Sequence, residues 1–581
     1  MVYWKVEVGG KEVAPREGQK EDAERIYNAL VENKNVVLSE WPGFGKTLAV
    51  LVSIANYLSD VNPNGYVVII TPNKLSSKYW YTEAGDKFTI YKPNGSILKI
   101  AHLAGKSSFD CFLNDKVKAN DPRIICNQTI SFYEKIRNCK YYAPIIRNKD
   151  RFSMINDVTE VREYLSINGK AFVFRRSSGV CDYYNQFFSI PEADVVVMNI
   201  SMFLQMFSMG TLPKPAVLVI DEFDVYGFNM IRSIKIDDAL FDDLKKYAKD
   251  KKLMERIIAL ERTIMSAVSL GEKIDYKHVR DSAYAVLQLI NAIMNIAYVD
   301  SLSGLSMALR SMLDGATYMA KRSEEGIDIV VNLSKMMSQI IQRSGRTIFI
   351  SGTPIDMDDY ATIMESTYGL VPDISQHVIV SSGVKPNYRV YVYTSNFIPT
   401  LALAMKFDED PELCRQYNEL LARLEKLLMS KYGIVKILIP SKKYGKKCFS
   451  SLIPQYMDGA SPDAVNGFVN GDNKYLISAR FTRSLSILKP GAILIPKMPI
   501  PDTESPEVKF FLKKGYSSYI HMLARAEIFH LVHRFLRSPN SEVIISSLDM
   551  RVLETLYYYK KIHGLSVSYI NDDGSVEDFE L

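Results

Sequence analysis

The 581-residue sequence predicts an α/β fold built on parallel sheets. Short β-branched runs alternate with helical stretches through the first half: Val36-Val37-Leu38, Tyr66 to Thr71, Val195 to Met198 and Val217 to Ile220. Each run is apolar throughout rather than at every second residue, the pattern of strands covered on both faces. The second half carries its own set: Arg389 to Tyr393, Val435 to Ile439, Ala492 to Ile495 and Glu542 to Ser546. Apolar residues make up 47% and charged residues 24%, an ordinary globular mix that argues against disordered, collagen-like and low-complexity classes. No uncharged apolar run approaches the ~20 residues that span a bilayer. Lys5 and Glu7 stand where a signal peptide would be apolar. The expectation is a multidomain protein that is not secreted and is located in the cytoplasm or at the nucleoid.

Between these strand sets, Ala216 to Thr353 contains no proline. Within it Leu240, Leu244 and Tyr247, then Ile257, Ile258, Leu260, Ile264, Met265 and Val268, recur at helical spacing, which predicts a mainly helical insert over about 230–340. A strand signal returns at Thr347 to Ile350. Five prolines between Pro490 and Pro506 mark a loop-rich stretch.

The sharpest motif is Ser39-Glu40-Trp41-Pro42-Gly43-Phe44-Gly45-Lys46-Thr47, which follows a strand (Asn35 to Leu38) and precedes a helical pattern (Leu48 to Leu58). Gly43 and Gly45 let backbone N–H groups close around phosphate oxygens, and the helix start adds a positive dipole end. Lys46 would reach the β- and γ-phosphates and Thr47 would ligate Mg²⁺. Glu40 replaces the usual first small residue, so the match is imperfect, and a chance Gly-Lys-Thr in a strand–helix turn is the bland alternative. A second element favours the functional reading. Val217-Leu218-Val219-Ile220-Asp221-Glu222 is an apolar strand ending in two acids. Asp221 would hold Mg²⁺ and Glu222 would polarise the attacking water. Arg534 and Arg537, three apart on a predicted helix Tyr519 to Leu536, would put two guanidinia on one face and clamp a γ-phosphate across a cleft. On spacing alone, a solvated basic helix end is the better reading of that pair.

Taken in order, these elements resemble the XPD/DinG group of superfamily 2 DNA helicases. Arg16-Glu17-Gly18-Gln19 resembles the adenine-reading Q-motif, Ser39 to Thr47 resembles motif I, and Val67 to Pro72 resembles motif Ia. Gly105 to Cys111 and Cys181-Asp182-Tyr183-Tyr184 resemble the segments that carry the first and last cluster cysteines. Ala193 to Asn199 resembles the strand that follows them. Asp221-Glu222-Phe223-Asp224 stands for D-E-A-H, Ser351-Gly352-Thr353-Pro354 for motif III, His530 to Arg537 for motif VI and Asp549-Met550-Arg551 for the D-x-R that closes it.

The resemblance implies two RecA-like motor domains with ATP and Mg²⁺ between them. The first would comprise 1–104, 182–229 and 341–375, interrupted by an iron–sulfur insert (105–181) and a helical arch (230–340); the second would be 376–581. It implies an ATP hydrolase, a 5′–3′ DNA helicase or translocase of the kind used in DNA repair. Single-stranded or forked DNA would thread past the iron–sulfur domain, the chain acting as a monomer with or without a protein loading partner. Arg16 and Gln19 would contact the nucleotide with Gly43, Gly45, Lys46, Thr47 and Asp221, and Glu222, Arg534 and Arg537 would be catalytic. The sequence departs from the family at motif V, whose counterpart Ala479 to Ser486 lacks the Glu and the Asp, and at motif VI, where His530 and His533 replace Gln and Gly. An alternative follows: a nucleic-acid-binding scaffold that keeps the helicase fold with weak or uncoupled ATPase. A third reading is an RNA-directed motor.

Cys111, Cys126, Cys139 and Cys181 fall within one window, separated by 14, 12 and 41 residues. Four thiolates suit a [4Fe–4S] cluster; structural Zn²⁺ is the chemical alternative, and four buried free cysteines the bland one. The same segment, Gly105 to Cys181, carries fourteen Lys and Arg against eight Asp and Glu, or +6, so the other 504 residues sum to −1 within a chain of net charge +5. Its basic residues interleave with aromatics from Phe132 to Arg176, a combination suited to phosphate neutralisation and base stacking.

Overall fold

The computed structural model describes all residues except 122, 129–131, 237–238, 271–272, 275, 295–299, 314–317, 324–325, 382–386, 395–398, 401–410, 441–447, 450–466, 478–486, 488, 504 and 537–539. Arg537 and the motif V counterpart Ala479 to Ser486 lie outside the described residues.

Two seven-stranded sheets form the body. The first runs, edge to edge, His377–Val380, Asn35–Ser39, Arg346–Ser351, Pro215–Asp221, Tyr66–Thr71, Val195–Asn199, Ile100–Leu103, and every neighbouring pair is parallel. The continuous apolar runs are explained by what covers them. Val36, Leu38, Val67, Ile69, Val217 and Val219 enter a core with the helices Gln19–Val31 and Lys46–Asp60. Val37, Val68, Ile70, Leu218 and Ile220 point the other way into a second core. Successive side chains leave a strand on opposite faces, so a strand covered twice must be apolar at every position. His377–Val380 pairs in parallel with the strand after Lys34, so the first sheet runs past position 375, where the sequence reading ended it.

The second sheet runs Tyr475–Ile477, Ile437–Ile439, Gly491–Ile495, Glu542–Ser547, Arg389–Val392, Val567–Ile570, Val576–Asp578, with only the last pair antiparallel. The two bodies are not independent. Pro506–Lys513 and the helix Ser517–Val532 place Val508, Phe511, Tyr519, Ile520 and Leu523 in the core that also lines the first sheet.

The region 230–340 contains the helices Ala239–Lys246, Lys251–Leu270, Tyr276–Met294 and Asp300–Leu313 and the start of Ser334–Arg343, but also a four-stranded antiparallel sheet, which the helical expectation missed. Ile231–Ile236 and Gly326–Asn332 pair across it and bury Ile231, Ile234, Ile236, Ile327, Ile329 and Val331. The period-two alternation of Ile327, Ile329 and Val331 is a strand signal in a region otherwise read by its helical spacing. No helix among the described residues is long and apolar enough to cross a membrane.

Cys414, on the helix Pro411–Tyr432, is disulfide-bonded to Cys448, with Cα atoms 4.9 Å apart. Asn418 Nδ2 donates to the carbonyls of both cysteines at 2.9 Å. The other four cysteines are free thiols. Alkylation of the denatured, unreduced protein is therefore expected to label four cysteines by intact mass, and six after reduction.

Candidate functional site

Three adjacent parallel strands deliver the candidate nucleotide site. Ser39 pairs with Ser351 and Asp221 with Ile350, so the strands Asn35–Ser39, Arg346–Ser351 and Pro215–Asp221 end level with one another. Ligands of open α/β sheets bind at these carboxyl ends. Ser39 Oγ accepts from the Ile355 N–H at 2.9 Å, which fastens the loop after Ser351 to the phosphate loop.

Gly43 and Gly45 have φ of +87° and +96°, conformations that suit glycine and let the loop curl ahead of the helix Lys46–Asp60. A Cβ at Gly45 would collide with the Gln19 amide. Gln19 Nε2 donates to the Gly45 carbonyl at 2.9 Å, its Oε1 accepts from the Arg16 N–H at 3.0 Å, and the Arg16 guanidinium donates to the Gly43 carbonyl. The segment read as an adenine motif thus braces the phosphate loop. Lys46 Nζ donates to the carbonyls of Glu40 and Trp41, at 2.8 and 3.1 Å. Thr47, the next residue, is half-buried in the first turn.

Asp221 accepts a 2.7 Å hydrogen bond from the Trp80 indole N–H. Burial, and then the neighbouring Glu222, push its carboxyl up to about 7, against the indole bond and Lys46. Glu222 sits at φ +52°, one of three non-glycine residues at positive φ among those described. Such strain collects at functional sites. Its Oε2 is buried with no hydrogen-bond partner among the described residues, as a group that orients a water requires.

One helix of the second body, Ser517–Val532, reaches all three loops. Tyr519 OH donates to the Asp224 carbonyl (3.1 Å) and accepts from the Gly227 N–H (2.9 Å). His530 Nε2 lies 3.3 Å from Thr353 Oγ1, beside Gly352. Trp41 packs against Phe529 and His533, with ring centroids 5.6 and 5.8 Å apart, and Tyr388 OH donates to the Pro42 carbonyl at 2.9 Å. The helix ends at Val532, so Arg534 lies in the following turn, buried at 3% exposure, while Arg537 lies outside the described residues. Arg525 is a cation that the sequence reading missed. It stacks on Tyr558 and lines a cleft of about 310 Å³ with Asp224, Thr353 and Asp359. Trp41 and Trp80 were also missed. The available signal was rarity, because the chain has three tryptophans and two of them stand here.

The four free cysteines line one cavity of about 370 Å³, walled by Phe112, Leu113, Tyr183 and Tyr184. Burial pushes the Cys181 thiol up to about 11 and raises Cys139. No group of three or more His, Cys, Asp or Glu side chains is placed to hold a metal ion among the described residues. Lys135 Nζ donates to the Cys126 carbonyl (3.2 Å), and Arg176 to the Cys139 carbonyl (2.8 Å) and Asp157. The stacking surface expected from interleaved aromatics is reduced, because Phe132, Tyr142, Phe172 and Phe174 are core residues of the insert. Arg162 and Arg175 are stacked on Phe188, 4.2 and 3.9 Å from its centroid. The aromatic groups that do face outward are Tyr133 and Phe112.

Asp22, fully buried on the helix Gln19–Val31, lies beside buried Glu40 of the phosphate loop. Burial and Glu40 push Asp22 up to about 8, with Arg25 opposing. A carboxyl raised in the folded state favours folding while protonated, and that stability is lost as pH rises towards 8. Asp22→Asn removes the ionisation, so its melting point relative to wild type should be higher by about 2 °C or more near pH 8 and change less near pH 5.

No protein-family model matches the sequence, and no curated protein matches it. Solved structures do. An XPD helicase superposes with a TM-score of 0.54 at 15% identity, over 96% of this chain and all of that one. Xpd4 from S. tokodaii gives 0.51 at 14% identity, over 96% of this chain and all of its own, and apo XPD gives 0.50 at 14% over 95% and 100%. With two RecA-like sheets meeting at the phosphate loop, the chain has the fold of these XPD structures.

Proposed function

We propose that the chain is an ATP-dependent 5′–3′ DNA helicase or translocase that passes single-stranded DNA along an iron–sulfur domain. The observation that carries the reading is the convergence of Lys46, Asp221, Glu222 and the Thr353–His530 contact where the two bodies meet. In this mechanism Lys46 exchanges the carbonyls of Glu40 and Trp41 for the β- and γ-phosphates of ATP. Thr47 and Asp221 would hold Mg²⁺, which would supply neutralisation of the phosphate charge. Glu222 orients the attacking water with its unpartnered oxygen. Arg534 supplies positive charge from the second body.

For the cysteine cavity we propose a [4Fe–4S] cluster held by Cys111, Cys126, Cys139 and Cys181. Four thiols lining one largely apolar cavity fit a group whose thiolates bind separate irons. Structural Zn²⁺ held by the same four thiolates is the alternative. The cluster would tie the segments that carry Cys111 and Cys126 to those that carry Cys139 and Cys181. A monomer in the cytoplasm or at the nucleoid, with forked DNA as substrate, completes the proposal.

Lys46→Ala and Glu222→Gln are each expected to lower strand-stimulated ATP hydrolysis by about 10²–10⁴-fold. Unchanged turnover in either overturns the assignment. Displacement of 5′-tailed but not 3′-tailed duplexes checks direction. Strand binding without stimulated hydrolysis would favour the scaffold reading, and preference for RNA over DNA would redirect the substrate. An anaerobic preparation should be brown, absorb near ~400 nm and hold about four irons per chain; a colourless, iron-free protein refutes the cluster.

A further inference from the structure

The helix Lys74–Tyr81 follows the central strand Tyr66–Thr71, with Asn73 capping its start by accepting from the Ser76 N–H at 2.9 Å. Its two faces differ sharply. Lys74, Leu75, Lys78 and Tyr79 are exposed, Leu75 at 48% and Tyr79 at 56%. Positions i, i+1, i+4 and i+5 form one stripe of a helix. The stripe combines two cations with an aromatic ring, the pairing that neutralises phosphates and stacks bases on single strands. The opposite face carries Ser77 and Trp80, 2% and 3% exposed. Trp80 donates its indole N–H to Asp221 Oδ2 at 2.7 Å. An indole N–H can only donate, and here its acceptor is the carboxylate assigned to Mg²⁺.

The inner face is pinned at two further points. Ser77 Oγ lies 3.2 Å from His102 Nε2, and Tyr81 stacks on the same imidazole at 5.5 Å and 20°. At its C-terminal end the helix runs on into a π-helical turn, Thr82–Lys87, whose wider backbone rings pack less tightly than an α-helix. The helix is therefore short, held along one side, with a looser joint at one end.

We propose that Trp80 is a positioning residue that couples single-stranded nucleic acid, bound on the Lys74–Lys78–Tyr79 face, to hydrolysis. A strand on the outer face fixes the helix, the helix fixes the indole, and the indole holds one oxygen of Asp221 in place so that the other faces the nucleotide. This rests on the motor reading above and adds a route by which the strand reaches the site. Coupling of this kind is reciprocal, so nucleotide must change strand affinity by the factor by which the strand changes nucleotide affinity.

The test uses the full chain, fluorescein-labelled oligo(dT) and ATP, with Mg²⁺ and a non-hydrolysable ATP analogue for the binding arm. Tyr79→Ala is expected to weaken oligo(dT) binding by about 5–150-fold, the range for loss of one stacked base. Its stimulated rate should stay low even at saturating strand. A residue that only binds the strand would recover the full rate at saturation, and that result would overturn the proposal. Trp80→Phe keeps the ring and removes the N–H. It is expected to leave oligo(dT) affinity without nucleotide within about twofold while cutting the stimulation ratio, and the change in strand affinity on adding the analogue, by at least about fivefold. Should Trp80→Phe fail to fold, the Tyr79→Ala plateau decides alone. Stimulation that survives in both variants overturns this inference and leaves the motor reading standing. A wild-type chain with no ATP hydrolysis overturns both.

Discussion

The parallel register of three neighbouring strands is the constraint on which the site depends. Asn35–Ser39, Arg346–Ser351 and Pro215–Asp221 end level because Ser39 faces Ser351 and Asp221 faces Ile350. Side chains alternate along a strand with period two, so a slip of one residue would send Asp221 to the opposite face and out of reach of Lys46. That register is protected because both faces of the sheet are buried: Val217 and Val219 on one side and Leu218 and Ile220 on the other are each fully covered. A slip would exchange the two sets between cores of different shape. The core of the first body therefore does more than stabilise it; it places two acids and a lysine within one loop cluster.

The second constraint is the way the bodies are joined. The helix Ser517–Val532 is anchored at its start, where Tyr519 is buried in the core of the first body and bonded to the turn after Asp224. Towards its end it meets the phosphate loop through Phe529 and the loop after Ser351 through His530. The first contact is a buried hydrogen-bonded tyrosine in a shared apolar core. The second is a tilted ring pair, a 3.3 Å polar contact and a buried bond from Tyr388 OH to the Pro42 carbonyl, with Trp41 only half-buried. Separating either would leave buried polar groups unsatisfied, which is costly. The bodies are thus fastened at both ends of the helix, and the second fastening lies beside Lys46.

Much of this was legible in the sequence, and what was hidden shares a cause. The apolar runs identified the central strands because burial on both faces leaves a signature in consecutive residues. Gly43, Gly45 and Lys46 were legible because the phosphate loop is local. Asp221 and Glu222 were legible because they end a strand. Contacts between residues far apart in the chain leave no such mark, and so Trp80 on Asp221, Trp41 on Phe529 and the Cys414–Cys448 bond appeared only in the fold. Arg534 shows a different failure. The apolar period runs on through Phe535 and Leu536, which are buried at 1% and 0%, yet the backbone leaves the helix after Val532. Burial pattern and helix coincide only while the chain stays helical, and a buried turn imitates the pattern.

The charge of the cysteine-bearing insert makes the same point about numbers taken without geometry. Its +6 reads as an attraction for phosphate, but the fold allots the cations to different tasks. Lys106 is buried and donates to Asn127 at 2.6 Å, while Lys135 and Arg176 hold the carbonyls of Cys126 and Cys139. Arg162 and Arg175 are stacked on Phe188 and share Glu160. Burial raises the thiols of Cys139 and Cys181, and Arg176 opposes this at Cys139. Exposed cations such as Lys116, Arg137, Lys140 and Lys149 remain to meet a strand. One part of the charge thus prepares the cavity and another faces solvent, and only the second part would appear in the salt dependence of nucleic-acid binding.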